Sequence, residues 1–342
     1  MRAHLRTILA LAVAGGMLWL FLRNTDFHQV MLEIRRARLD LLLGSLGTTA
    51  LAYVLRAVRW QYLLRPIGHV RFSNALRTTV IGFAVSAVLP ARAGEVLRPY
   101  LLARREHLSA TATFATIILE RLLDTLMVVL LFVAFLLLFD PGFGGTSSTT
   151  FAQVKLGGAI AGAACLAGFV VFFFLAGHPE ALERLTVTVT RVLPERLGAA
   201  AGRLARAFAE GLAIVRQPGR LVIAIALSLP VWLAISAGIF LATRAFHIDM
   251  PFTGSFLVQA LLVVGVAVPT PGAVGGFHYF YQLAVMTFYA APNDRAVGAA
   301  LVLHAVSFVP VAVTGLILLT QEGVSLSRAG SLARTGGQEE AA

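Results

Sequence analysis

Ile117-Ile118-Leu119-Glu120-Arg121-Leu122-Leu123-Asp124-Thr125-Leu126-Met127-Val128-Val129-Leu130-Leu131-Phe132-Val133-Ala134-Phe135-Leu136-Leu137-Leu138-Phe139 decides the architecture. Its length is close to the ~20 apolar residues that cross a bilayer as an α-helix. Lipid offers no partner to a bare backbone group, so a run of this kind must be helical. Comparable runs lie at Leu5–Leu22, Leu39–Leu55, Val154–Ala176, Leu221–Leu241 and Ala296–Thr320. Hydrophobic residues make up 58% of 342 positions and charged ones 13%, against roughly a quarter charged in soluble domains. The sequence therefore reads as an all-α polytopic membrane protein. Arg2 and Arg6 before the first run resemble a secretion signal, but Leu18-Trp19-Leu20-Phe21 leads into Arg23 without a small-residue cleavage site, so the run is read as a retained span.

The charge distribution orients the chain. Net charge is +11, and Lys155 is the one lysine among 28 basic residues. The arginines cluster at the ends of apolar runs rather than along one stripe, which argues against nucleic acid as a partner. Arg56, Arg59, Arg65, Arg71 and Arg77 follow the second run, and seven arginines from Arg184 to Arg220 follow the fifth hydrophobic segment. Pro141–Gln153 has no Lys or Arg. By the positive-inside rule the N-terminus is cytoplasmic, in a bacterial-type plasma (inner) membrane. Cys165 is a lone cysteine and the eight histidines are scattered, so neither an intramolecular disulfide nor a metal cluster is expected, and no cofactor is implied.

Two segments break the pattern. Thr78–Leu89 is apolar over about 12 residues before Pro90-Ala91-Arg92-Ala93-Gly94-Glu95; at 1.5 Å per residue it reaches ~18 Å, short of the ~30 Å hydrocarbon core. Phe256–Val268 is its counterpart, broken by Pro269-Thr270-Pro271-Gly272-Ala273-Val274-Gly275-Gly276. Superposing Pro90-x-x-x-Gly94 on Pro271-x-x-x-Gly275 gives two pseudo-repeat halves, each with a Pro/Gly-broken re-entrant helix. Such paired interruptions point to a transporter binding site. The halves cover about residues 1–176 and 221–320. They are joined by a cytoplasmic linker, 177–220, whose apolar spacing among arginines suits helices in the headgroup region. Residues 321–342 form a polar tail expected to be disordered. Phe277–Ala291 reads either as a short full span or as the return arm of the second break.

Charged residues inside apolar helices are costly unless they meet protein, water or one another. Glu120 and Asp124 are four apart on one helical face, and Arg121 can pair with Asp124 at i,i+3. Arg92, Glu95 and Arg98 follow the first break. A helix starting near Gly94 would offer amides and guanidiniums to a phosphate, with Glu95 meeting a cationic headgroup or a proton. In the second half Pro271, Gly272, Gly275 and Gly276 allow close backbone approach. His278, next to Tyr279, and His304 are the titratable candidates there.

Taken in order, four stretches resemble the lysylphosphatidylglycerol synthase transmembrane (flippase-like) family. They are Arg56-Ala57-Val58-Arg59-Trp60-Gln61-Tyr62-Leu63-Leu64, Leu89-Pro90-Ala91-Arg92-Ala93-Gly94-Glu95-Val96-Leu97-Arg98-Pro99-Tyr100-Leu101, Glu120-Arg121-Leu122-Leu123-Asp124, and Pro269-Thr270-Pro271-Gly272-Ala273-Val274-Gly275-Gly276. The resemblance covers about residues 5–320, and 1–320 would be one flippase-like domain. It implies movement of a lipid between leaflets, either an aminoacyl-phosphatidylglycerol or a polyprenyl-phosphate-linked glycolipid. The chain ends at 342 without the synthase domain of bifunctional relatives, so the expectation is no enzyme activity of that kind. Ala273 stands where relatives tend to carry a second Gly, and His278 near where they carry an acid. Membrane lipids are the expected partners, with a separate lipid-synthesising enzyme a further candidate. Two rival readings are a membrane-embedded lipid-modifying transferase using Glu120 and Asp124, and a non-transporting partner subunit. No Gly-Lys-Ser/Thr phosphate loop occurs, which excludes ATP-driven transport through such a loop.

Overall fold

The structure is a computed structural model that describes residues 2–89, 92–138, 148–177, 212–267, 270–326 and 330. Among these residues it is all-helical. In chain order the helices are α1 (Arg2–Leu22), α2 (Phe27–Arg36), α3 (Leu39–Leu64), α4 (Phe72–Val88), α5 (Gly94–Glu106), α6 (Ala110–Leu138), α7 (Ser148–Gly177), α8 (Pro218–Ala245), α9 (Gly254–Ala267), α10 (Gly276–Tyr289) and α11 (Asn293–Gln321). Short 3₁₀ turns at Ala213–Arg216 and Pro271–Ala273 precede α8 and α10. Most of the linker, the tail beyond 330, and Pro90, Ala91, Val268 and Pro269 lie outside the described residues.

Local signals account for the boundaries. Asp26 caps α2 by accepting from the backbone N–H groups of His28 and Gln29, donors the first turn leaves free. Proline opens α8, where its missing N–H matters least. The residues 78–89 prove to be part of a longer element: α4 starts at Phe72 and has 17 residues, about 26 Å. The extra turn contains Asn74 and Arg77, which the apolar count had treated as flank. Both are held, Arg77 by Glu322 at 2.5 Å and Asn74 by Glu106 at 2.8 Å. Likewise α3 continues nine residues past Leu55, carrying Arg56, Arg59 and Trp60 into the bundle.

By length and composition, α3, α8 and α11 are each able to cross a membrane. On α11, Val309, Val313 and Ile317 recur every fourth residue and are more than half exposed. They form an apolar stripe that suits contact with lipid. Inside, α3 packs along α8, with the Ser45 hydroxyl donating to the Gly238 carbonyl at 2.9 Å. Small residues let backbones approach, and two pairs do so at the breaks. A Cβ on Gly94 would lie 2.7 Å from the Gly82 carbonyl carbon, so α4 and α5 touch backbone to backbone. A Cβ on Gly265 would lie 2.8 Å from the Gly276 carbonyl carbon, giving α9 and α10 the same kind of contact.

Candidate functional site

α3, α5 and α6 converge on one buried charge network. Arg59 is fully buried and donates to Asp124 Oδ1 at 2.7 Å and to Ser228 Oγ at 3.0 Å. Arg56 reaches Asp124 Oδ2 at 3.3 Å, and Trp232 donates its indole N–H to Oδ1 at 2.9 Å. Arg98 donates to Glu120 at 2.9 Å while its guanidinium carbon lies 3.8 Å from the Trp60 ring centre. Arg121 bonds Glu120 at 2.6 Å and pairs with Asp124 at 3.2 Å, the i,i+3 contact the spacing predicts. Glu95 stands farther out, 3.7 Å from Arg92 and 4.0 Å from Arg121. Among the described residues, Arg56, Arg59, Arg92, Arg98 and Arg121 thus face three carboxylates, leaving two positive charges in excess. Several donors there have no hydrogen-bond partner among the described residues, including Arg98 Nε and Nη2 and Arg121 Nε.

This network borders a cavity of about 510 Å³, within the usual range of ligand sites. Charged lining residues come from α3, α5, α6 and the turn before α5: Arg56, Arg92, Glu95, Arg98, Arg121 and Asp124. The opposite wall, from α9 to α11, is mainly apolar, with Leu262, Val266, Phe277, Leu303 and Phe308. Arg92 ties the two walls together. It adopts a left-handed backbone conformation, φ 52°, and its guanidinium donates to the Val266 carbonyl at 3.0 Å. That carbonyl is in the last turn of α9, where no later helical N–H is available. Left-handed geometry in a non-glycine residue is strained by about 1–3 kcal/mol, and such strain concentrates at functional sites.

The sequence candidates divide into groups. Arg92, Gly94, Glu95, Arg98, Arg121 and Asp124 line the cavity, and Gly272 lines it from the second break. Glu120 lies behind this surface, fully buried on Arg98 and Arg121. Both Glu120 and Asp124 are therefore committed to arginines, and Glu95 is the more accessible acid. Gly94 serves the contact with Gly82 as well as the lining. Pro271 begins the 3₁₀ turn, in which Gly272 takes φ 60°. Gly275, at φ 88°, faces the Ala14 carbonyl of α1, and Gly276 packs on Gly265. α10 starts at Gly276, one residue after Gly275, and α5 starts at Gly94.

His278 is placed away from the charged network. Its Nδ1 accepts from the Gly275 N–H, and its ring centre is 4.6 Å from that of His304. His304 Nε2 lies 2.8 Å from the Gly272 carbonyl oxygen, pinning the turn. Four participants escaped the sequence reading of the site. Arg56 and Arg59 read in the sequence as topological charge, and Trp232 and Gln259 stand singly among apolar neighbours. The available signal was the i,i+3 spacing of Arg56 and Arg59 beside an aromatic, within a helix that does not stop at Leu55.

A helical bundle with lipid-suited faces and a buried ionic cavity defines a membrane-embedded protein. Residues 7–315 match the lysylphosphatidylglycerol synthase TM region family, and the chain belongs to that family. It is also similar to a UPF0104 membrane protein of Methanocaldococcus jannaschii, 28% identical over 78 residues. That match covers 22% of this chain and 23% of the relative, so it spans under a quarter of the relative's length.

Proposed function

We propose that the chain is a flippase-like transporter that moves an anionic amphiphilic lipid between leaflets of a bacterial-type inner membrane, with its N-terminus cytoplasmic. The observation that carries this is the uncompensated pair of positive charges beside an otherwise largely apolar cavity. Unpaired charge inside a bilayer is unfavourable, and a phosphate held by arginine forks would neutralise it. Arg92, Arg98 and Arg121 are the phosphate contacts, while the acyl chains remain in the surrounding lipid. An aminoacyl-phosphatidylglycerol or a polyprenyl-phosphate-linked glycolipid satisfies this chemistry. The protein supplies passage rather than catalysis, and a separate lipid-synthesising enzyme would provide its substrate.

The paired breaks support the same reading. At 13, 14 and 14 residues, α5, α9 and α10 rise about 20–21 Å each, less than the ~30 Å core. They fit re-entrant arms of two repeats whose tips meet near the midplane. The glycine pairs Gly82–Gly94 and Gly265–Gly276 give each arm pair a close backbone contact.

Leaflet exchange in proteoliposomes tests the proposal, using headgroup-labelled phosphatidylglycerol, its lysyl ester and a polyprenyl-phosphate sugar. Wild type should accelerate at least one of them over protein-free vesicles. Arg92→Ala and Glu95→Gln, at partly exposed positions, should fold normally and reduce the rate several-fold. Folded wild type that accelerates none of the three would rule the proposal out.

A further inference from the structure

The two walls of the cavity differ in kind. Every charged lining residue comes from α3, α5, α6 or the turn before α5. From α8 onward the polar lining residues are Trp232, Gln259, Thr270 and Ser307, all uncharged. Two of these carry atoms without a hydrogen-bond partner although both side chains are at least nine-tenths buried: Gln259 Nε2 and Thr270 Oγ1. Leaving such groups unsatisfied costs roughly 1–3 kcal/mol apiece.

Gln259 reaches across to α8 through its side-chain amide. The Ser236 hydroxyl donates to its Oε1 at 2.9 Å, so Nε2 is the free end of the amide. Ser236 follows Trp232 by one turn of α8, and Trp232 donates to Asp124. Gln259 lines the same cavity as the charged residues. An N–H can serve an oxygen acceptor but gives nothing to an ammonium group. The buried carboxylates of the network, Asp124 and Glu120, are already engaged by arginines.

We infer that Gln259, assisted by Thr270, forms a second headgroup subsite that reads uncharged hydroxyl or ether oxygens, so that the ligand is a phospholipid with a neutral polyol or sugar head. This rests on the flippase reading of the same cavity and narrows it, since Gln259 Nε2 offers nothing to a lysyl-type ammonium and the accessible acid, Glu95, is already paired with Arg92 and Arg121. The phosphate would lie toward Arg92, Arg98 and Arg121, and the polyol toward α8 and α9.

Equilibrium binding separates this subsite from transport. The full chain in detergent would be titrated with short-chain phosphatidylglycerol, phosphatidic acid, lysyl-phosphatidylglycerol and glycerol 3-phosphate, following tryptophan fluorescence, to which Trp232 at the cavity contributes. Wild type should bind phosphatidylglycerol roughly tenfold more tightly than phosphatidic acid or the lysyl ester, and glycerol 3-phosphate far more weakly than the lipids. Gln259→Leu should erase the preference while leaving phosphatidic acid unchanged. Thr270→Val, which keeps shape, should lower the preference in part and carries the test if the first variant does not fold. Equal binding of phosphatidylglycerol and phosphatidic acid, tightest binding of the lysyl ester, or an equal loss for both phospholipids in Gln259→Leu would each overturn the subsite. Free glycerol 3-phosphate binding as tightly as the lipid would overturn the lipid assignment. Exchange measured with the same lipids judges the transport reading independently: preference without exchange supports the subsite and refutes transport.

Discussion

Adding one methyl group at Gly94 links packing at the first break to the charge network. A Cβ there would lie 2.7 Å from the carbonyl carbon of Gly82 and 2.6 Å from Ser86 Oγ. Carbon atoms in ordinary contact are roughly 3.5–4.0 Å apart and the Gly82 carbonyl oxygen lies nearer still, so α4 and α5 must separate by at least about 1 Å. Arg98 sits one turn along α5 and holds Glu120 at 2.9 Å. Moving it by that distance takes the pair outside hydrogen-bonding range. Overpacking alone costs about 1–3 kcal/mol, and losing one partner of a buried ion pair costs about 3–5 kcal/mol. With the pair stretched rather than lost, about 3 kcal/mol is expected for Gly94→Ala. Elsewhere in a helix the same change stabilises by roughly 0.5–1 kcal/mol. Gly47 of α3, whose added Cβ would meet nothing within 4 Å, provides the control. Equilibrium unfolding of the full chain in micelles, followed by tryptophan fluorescence, measures both. Gly94→Ala that is no less stable than Gly47→Ala would refute the backbone contact.

Three further changes probe other parts of the bundle. Gly276→Ala should destabilise by about 1–3 kcal/mol because the Gly265 carbonyl occupies the space; unchanged unfolding would argue against equivalence of the two breaks. Asp124→Asn removes a charge that meets Arg56, Arg59 and Arg121, and about 3–5 kcal/mol should be lost in the same unfolding measurement. An effect under 1 kcal/mol would show that those arginines reach water. Glu322→Ala breaks its pairs with Arg77 and Arg105 near the end of α11. Because those partners are partly exposed, about 1 kcal/mol or less is expected, shrinking further as salt is raised; a larger, salt-independent loss would contradict that exposure.

The helical class was legible because apolar run length reports directly on a bilayer, and α5 begins at Gly94 as its sequence suggests. The Arg121–Asp124 pair was readable because both residues sit on one helix at a fixed spacing. Contacts between helices were not, since no period in one segment says which face of another it meets. Arg56 and Arg59 show the difficulty. Arginine at a span end has the same sequence signature whether it meets water or a buried acid. Their partner, Asp124, lies 68 and 65 residues away. Gln259 was harder still, because its role depends on a contact with Ser236 of α8. His278 stands out in the sequence as a polar residue after a break; its contact with the Gly275 N–H at the start of α10 is visible only in the fold.

The order of charges along the chain bears on how the protein is made. Arg56, Arg59 and Arg98 all precede Glu120 and Asp124, and every one of them pairs with those acids. Chains emerge from the ribosome with the N-terminal part first. When the two carboxylates of α6 reach the bilayer, their counter-ions have therefore already been synthesised. A permuted gene that delivered α6 ahead of α3 and α5 would ask the insertion machinery to hold two bare acids in lipid until their partners arrived.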